Sequence, residues 1–313
     1  MAERVRVVEV ISETADAKSF VLELPWTYRP GQFVTVRAGD VARSYSLASS
    51  PHTGEAPKIT VKRAGSGSNW LCDNVEAGTE LDMLPPGGVF TPSSLDRDLL
   101  LFAGGSGITP VMSIVKSALS QGTGKVLLVY ANRDRSSIIF AEELAALECE
   151  RFKVVHWLDS ERGWPTADSV REMSAPFAGY EKFVCGPDPF MDVIEEALGT
   201  VHSERFVSLA ENPFAAPEEP VEKFTKLEVA IDGQVYAFDW PVQTKLLDLL
   251  LSKGILAPYS CRQGTCAACA CRIVKGEVKL LNNEILEEED FAENYILACQ
   301  AIALTDEVSV TYH

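Results

Sequence analysis

Histidine is scarce in this chain, with four residues in 313, at positions 52, 156, 202 and 313. They are too scattered for a two-His-plus-carboxylate triad to be read from local spacing, which argues against a mononuclear iron or zinc catalytic centre. Basic residues are also outnumbered, 28 Lys and Arg against 45 Asp and Glu, for a formal net charge of −17. So acidic a surface repels nucleic-acid phosphates and anionic lipid, and neither nucleic acid nor membrane is expected as a partner. No apolar run approaches the ~18 residues of a membrane-spanning helix. Residues Met1–Val10 alternate polar and apolar residues without an apolar signal core or a small-residue cleavage site. The expectation is a cytoplasmic protein. The eight cysteines are too few for a disulfide scaffold.

What is present is ordinary globular composition, 46% apolar and 23% charged. At roughly 100–200 residues per domain the length predicts two or three domains. Up to residue 96 the sequence shows short alternating runs at Val5–Val10, Ser19–Leu24, Gln32–Val36, Ser44–Ser49, Lys58–Arg63 and Glu80–Leu84. They are separated by the turn signals Pro30-Gly31, Gly39-Asp40, Gly65-Ser66-Gly67 and Pro85-Pro86-Gly87-Gly88. Half a dozen such strands predict a small antiparallel barrel or sandwich.

Over 97–211 the period changes. Apolar runs at Leu99–Ala103, Lys125–Ala131, Phe152–Leu158, Lys182–Cys185 and Arg205–Leu209 alternate with helical spacing at Pro110–Gln121, Phe140–Glu150 and Pro189–Leu198. This predicts βαβ units on a parallel sheet buried on both faces. Residues 212–225 read as a linker, because 212–223 hold three prolines and three glutamates without periodicity. The last segment, 226–313, offers strands at Leu227–Ile231, Val235–Phe238 and Val308–Tyr312, a turn at Asp232-Gly233 and a helix at Leu246–Leu251.

Four cysteines, Cys261, Cys266, Cys269 and Cys271, crowd into eleven residues, and Cys299 follows Cys269 after 29 intervening residues. The C-x4-C-x2-C spacing with a remote fourth cysteine is the plant-type [2Fe–2S] signature. Gly264, Thr265, Ala267 and Ala268 are small enough for a loop to wrap a cluster and aim N–H groups at its sulfurs. Four cysteines can also hold zinc, although zinc ribbons use two close pairs where this chain has three together and one apart. Cys271 makes a C-x-C pair and offers a competing ligand. Cys72, Cys149 and Cys185 read as buried or partly buried thiols.

Two further motifs suit a dinucleotide. Leu99–Ala103 runs into Gly104-Gly105-Ser106-Gly107-Ile108-Thr109-Pro110, where glycines would let backbone approach a pyrophosphate at a helix N-terminus, although Pro110 breaks the usual glycine fingerprint. Cys185-Gly186-Pro187 closes a later strand, where open α/β sheets place their ligands. In the first segment, Arg43-Ser44-Tyr45-Ser46-Leu47 lies on a strand, with Lys62-Arg63 and Gly65-Ser66-Gly67-Ser68-Asn69-Trp70 further on. Arginine can clamp phosphate and tyrosine can lie on a flat ring, although Tyr45 alone reads equally as a strand aromatic.

In this order the motifs resemble the flavin and nicotinamide signatures of the ferredoxin–NADP⁺ reductase superfamily. With a ferredoxin-like C-terminus the whole chain resembles the fused oxygenase reductases. The stretches Ser68–Asp73, Gly88–Pro92, Tyr130–Asp134 and Glu204–Leu209 narrow the likeness to the FAD-containing reductases of 3-ketosteroid 9α-hydroxylases. The resemblance implies three domains: an antiparallel β-barrel for FAD (1–96), an α/β parallel-sheet domain for NADH (97–211), and an α+β β-grasp domain (226–313) carrying a [2Fe-2S] cluster.

It implies that Arg43, Ser44, Tyr45, Ser46, Leu47, Lys62, Arg63, Ser68, Asn69 and Trp70 hold flavin. Gly104, Gly105, Ser106, Gly107, Thr109, Asn132, Arg133, Cys185, Gly186 and Pro187 would hold the dinucleotide. Tyr45, Ser46 and Cys185 would stand at the reacting rings, and Cys261, Cys266, Cys269 and Cys299 would hold iron. Electrons would leave for a separate Rieske-type oxygenase, since the chain has no C-x-H and C-x2-H pair of its own. An FMN-containing reductase of the phthalate dioxygenase type, serving an aromatic oxygenase, and a cluster-bearing redox carrier or sensor stay open as alternatives. Arg133 and Arg135 leave NADPH open, while Asp134 between them favours NADH.

Overall fold

Period-two alternation at the start of the chain becomes an antiparallel sheet. In the computed structural model, which describes residues 2–206, 213–214 and 223–312, this segment holds β1 (Glu3–Thr14), β2 (Ala17–Leu22), β3 (Phe33–Ala38), β4 (Val41–Ser46), β5 (Lys58–Lys62), α1 (Ser66–Asn74) and β6 (Glu80–Gly87). The strand order is β4-β3-β6-β1-β2-β5, and a bridge from Leu47 to Ile59 joins the two edges, so the sheet curls closed. Val5, Phe20, Val34, Val36, Ile59, Val61 and Met83 fill its interior.

Two features depart from the sequence reading. Gly65-Ser66-Gly67, read as a turn, instead starts the helix α1, where Ser68 accepts hydrogen bonds from the Ala64 and Gly65 amides at 2.9 and 3.0 Å. Pro85 and Pro86, read as part of a turn, lie within β6, beyond the Glu3–Met83 pair that ends its ladder with β1, where their missing N–H groups cost that ladder nothing.

The same compact unit continues through β7 (Leu99–Gly104), α2 (Ile108–Gln121), β8 (Val126–Asn132), α3 (Ala141–Leu147), β9 (Phe152–Leu158), α4 (Asp159–Arg162), α5 (Ala167–Ser174), β10 (Glu181–Cys185), α6 (Asp188–Leu198) and β11 (His202–Glu204). These five strands are parallel in the order β11-β10-β7-β8-β9. One face buries Leu101, Ile108, Met112 and Leu128, the other Phe102, Val129, Phe190 and Ile194, as continuous apolar strands require. The final strand predicted at 205–209 is a correction. Pairing with β10 covers only His202–Glu204, and Arg205 turns out of the sheet to meet carboxylates on α6, while 207–209 lie outside the described residues.

The barrel and the parallel sheet meet on a polar seam. Ser113 donates to the Ser49 carbonyl at 2.6 Å, and the hydroxyls of Ser50 and Ser117 lie 2.8 Å apart. Lys116, 5% exposed, reaches Glu55 at 2.8 Å and also Glu143, which in turn pairs with Lys58 at 3.4 Å.

The second unit contains β12 (Phe224–Ile231), β13 (Gln234–Pro241), α7 (Leu246–Ser252), β14 (Ala270–Lys275), β15 (Val278–Leu280), α8 (Glu288–Ala292), β16 (Tyr295–Leu297), β17 (Ala301–Ala303) and β18 (Glu307–Thr311). The mixed sheet runs β13-β12-β18-β14-β16 with β12 and β18 parallel, and β15 pairs with β17. The predicted Asp232-Gly233 turn has both residues at positive φ, 52° and 73°, and joins β12 to β13. β12 begins at Phe224, inside the span read as linker. Of that span, residues 212 and 215–222 lie outside the described residues. No helix is long and apolar enough to cross a membrane among the described residues.

Candidate functional site

The first unit contains a cavity of about 230 Å³ whose wall comes from both of its sheets. β4 contributes Arg43, Ser44, Tyr45 and Ser46, β5 contributes Thr60 and Lys62, and the start of α1 contributes Gly65 to Ser68. From the parallel sheet come Ser106 and Thr109, and Phe206 follows β11. An arginine beside a helix N-terminus is a built-in receptor for phosphate, and a tyrosine on the same wall offers a flat partner for a ring. Burial raises the Tyr45 hydroxyl above its usual range, which keeps the phenol neutral.

Other residues assigned to flavin do not line the cavity. Arg63 is paired with Asp73 at 2.5 Å, Asn69 is exposed, Trp70 packs against the barrel core beside Gly39, and Leu47 is fully buried.

The dinucleotide motifs converge as their spacing suggested. β7 and β10 are neighbours, and the chain leaves β7 for β8 on one side while β10 lies on the other, so the crevice at their C-terminal ends is the switch point of the sheet. A Cβ on Gly107 would sit 2.0 Å from the Cys185 carbonyl oxygen, and one on Gly186 would meet the Gly104 backbone at 3.1 Å. The two motifs are thus packed glycine to backbone, leaving peptide groups as the surface a ligand meets. Tyr130 donates to the Gly105 carbonyl at 2.9 Å and so fixes the turn.

Asn132 is buried at the end of β8. Beyond it Arg133 meets Asp16 at 3.8 Å and Arg135 meets Glu161 at 3.2 Å. Asp134, expected to offset these arginines, instead caps its own turn, accepting from Ser136 Oγ at 2.7 Å and the Ser137 amide at 3.0 Å.

Sequence reasoning missed Glu204. It ends β11, opposite Cys185 on β10, and Ser46 Oγ donates to its Oε2 at 3.4 Å. Its other oxygen is buried without a partner, and burial pushes the carboxyl up to about 8. Burial also raises the Cys185 thiol, next to this carboxyl. Its signal was weak, since the strand it closes is the short polar run His202-Ser203-Glu204. It went unread because the strand was placed at 205–209, which starts one residue beyond Glu204. Phe206 was missed because it fell within that misplaced strand.

In the second unit the four cysteines come together as two pairs. The Cys261 amide donates to Cys266 Sγ at 3.5 Å and the Cys299 amide to Cys269 Sγ at 3.5 Å. The Gln263 amide reaches Cys261 Sγ at 3.3 Å, and Gln300 Nε2 lies 3.6 Å from Cys299 Sγ. Gly264 holds φ +84° where a Cβ would come within 2.8 Å of the Asn282 carbonyl, so only glycine fits this bend of the loop. Two pairs ringed by N–H donors fit two irons. Cys271 stands apart on β14, 1% exposed, and burial raises its thiol to about 12. Cys72 is buried as expected, but Cys149 is exposed, which corrects the sequence reading.

Residues 229–304 match the 2Fe-2S iron-sulfur cluster binding domain family and residues 101–196 the oxidoreductase NAD-binding domain family. The chain is 51% identical, over 98% of its own length and 95% of the relative's, to the ferredoxin reductase component of 3-ketosteroid-9-alpha-monooxygenase from Rhodococcus rhodochrous. It is 48% identical to the Mycolicibacterium smegmatis protein of the same description, over 98% and 96% of the two lengths. Among solved structures, phthalate dioxygenase reductase aligns over 99% of this chain and 98% of that one with a TM-score of 0.59 at 24% identity, a likeness of fold.

Proposed function

The chain belongs to the family of monooxygenase ferredoxin reductase components, and from that membership and the two sites above we propose that it carries electrons from NADH to a Rieske-type oxygenase that hydroxylates a 3-ketosteroid. The observation that carries this reading is the cavity walled by Arg43, Tyr45 and Ser46 on one side and Ser106 and Thr109 on the other, since a flavin held by the first set meets a nicotinamide held by the second. Nicotinamide gives two electrons as a hydride and a [2Fe-2S] cluster takes one at a time, so FAD supplies the step between them.

Arg43 and the amides at the start of α1 suit the flavin pyrophosphate, and Tyr45 suits its ring. Glu204, protonated at neutral pH, with Ser46 gives the reacting end a proton-bearing hydrogen-bond pair. Gly104, Gly107 and Gly186 let the two motifs close on each other so that their peptide groups can face the dinucleotide, while Gly105 opens onto free space. Cys261, Cys266, Cys269 and Cys299 suit the cluster. Cys266 is exposed while Cys261, Cys269 and Cys299 are buried, so a partner meets the cluster from the Cys266 side.

The matched ranges, 101–196 and 229–304, support division into a flavin domain (1–96), a nucleotide domain (97–211), a linker (212–225) and a cluster domain (226–313). Dependence on reduced pyridine nucleotide and on free thiolate ligands suits the cytoplasm.

The test is an absorption spectrum before and after NADH, mass spectrometry of the released flavin, and reconstitution with a steroid oxygenase. Bleaching of both chromophores, release of FAD and steroid hydroxylation are expected. Turnover with an aromatic-acid oxygenase alone would remove the steroid assignment, and release of FMN would remove FAD.

A further inference from the structure

Residues 204–206 leave the parallel sheet with two side chains committed to the site and one turned away from it. Glu204 is buried against Ser46, and Phe206, 48% exposed, lines the cavity with Tyr45, Ser106 and Thr109. Between them Arg205 points to α6, where it meets Asp188 Oδ1 at 3.0 Å, Asp192 Oδ1 at 2.8 Å and Glu195 Oε2 at 2.6 Å. Positions 188, 192 and 195 are spaced i, i+4, i+7 and form one stripe on the helix. A lone surface ion pair fixes little, but a planar guanidinium shared by three carboxylates has few other orientations open to it.

We propose that Arg205 is a positioning residue whose clamp on α6 sets where Phe206 lies in the cavity and how readily that ring yields its place to the nicotinamide. This rests on the reading of the cavity as the flavin site. Phe206 shares the wall with Ser106 and Thr109, so the ring and an incoming nicotinamide compete for one space. The apparent affinity for nucleotide is then the intrinsic affinity scaled by the fraction of molecules in which Phe206 has moved aside, and a looser clamp raises that fraction.

The test is a double-mutant cycle on the flavin-loaded full-length protein, read by NAD⁺ titration and by the visible spectrum of the bound flavin without nucleotide. Arg205→Met is expected to move the flavin spectrum toward that of Phe206→Ala and to tighten NAD⁺ binding about three- to tenfold. Arg205→Lys falls between it and the wild type. In the Phe206→Ala background, Arg205→Met should leave the spectrum unchanged and alter the NAD⁺ Kd only by the effect of the lost charge. Asp192→Asn combined with Glu195→Gln loosens the same clamp from the helix side and should give the same spectral shift, which covers the case where Arg205→Met does not fold.

If Phe206→Ala changes spectrum and affinity while the Arg205 and α6 variants do neither, or if the Arg205→Met effects are equal in both backgrounds, the clamp is overturned. If Phe206→Ala itself leaves both unchanged, the cavity reading falls and the clamp with it.

Discussion

Ser46 Oγ lies 3.4 Å from Glu204 Oε2, joining a barrel strand to the last parallel strand across 158 residues of chain. Burial pushes the Glu204 carboxyl up to about 8, whereas a glutamate in the unfolded chain loses its proton at about 4.3. The folded protein therefore holds a proton that the unfolded chain has already released. Stability linked to this group is full below about pH 4, falls by on the order of a few kcal/mol as pH rises toward 8, and is flat beyond. Glu204→Gln should flatten the Tm–pH curve and raise Tm above that of the wild type at pH 8. It should also remove any fall in NADH-dependent flavin reduction above pH 8.

Replacing Cys261, Cys266, Cys269 or Cys299 by Ser should abolish the cluster signal in electron paramagnetic resonance and lower bound iron, while flavin reduction by NADH stays near the wild-type rate. Cys271→Ser should keep the cluster. Loss of iron from Cys271→Ser with retention in Cys299→Ser would reverse the ligand assignment.

NADH should be preferred over NADPH because Arg133 and Arg135 are already engaged by Asp16 and Glu161. These pairs are exposed and weak, and Asp16 also holds Lys62 at 3.8 Å, so Glu161→Gln alone should improve kcat/KM for NADPH only by about twofold, leaving that for NADH unchanged. Steady-state kinetics with both coenzymes decides it.

Lys116→Met leaves Glu55 in the seam without its cation and Glu143 with Lys58 alone, and should cost about 3 kcal/mol in thermal or denaturant unfolding. Adding Glu55→Gln should recover most of that loss.

Residues 284–293 carry Glu284, Glu287, Glu288, Glu289, Asp290 and Glu293, and α8 also presents Phe291, which is 45% exposed. Neutralising Glu287 to Asp290 should slow electron transfer to a basic oxygenase without slowing flavin reduction. Wild-type transfer should fall as salt rises.

Much of this was legible locally. The cysteine spacing announced the two thiol pairs because ligands on one loop leave their signature in sequence. The apolar runs gave the parallel strands because burial on both faces leaves little choice of residue. Arg43, Tyr45 and Ser46 share one cavity wall because they lie close together on one strand.

What stayed hidden was set by distance in sequence. Nothing near Ser46 names Glu204 as its partner, 158 residues away, whereas Asp134-Arg135-Ser136-Ser137 was a local capping signal that the reading for a coenzyme passed over. β14 to β17 were missed because strands of three to six residues in a mixed sheet have too few positions to show a period, and α1 was missed because its glycine and serine residues read as a turn until Ser68 is seen to cap it.

The parallel pairing of β12 with β18 places the first and last strands of the cluster-bearing unit side by side at the middle of their sheet, with Leu227 opposite Val308. A sheet closed by its two extremes cannot form progressively during synthesis. The thiols of 261–269 leave the ribosome before the strand that completes their shelter, and entropy lost in closing so long a loop is repaid only when β18 docks. Iron and sulfide therefore meet either an open chain or a finished fold, and a nascent chain halted before residue 307 should be unable to retain them.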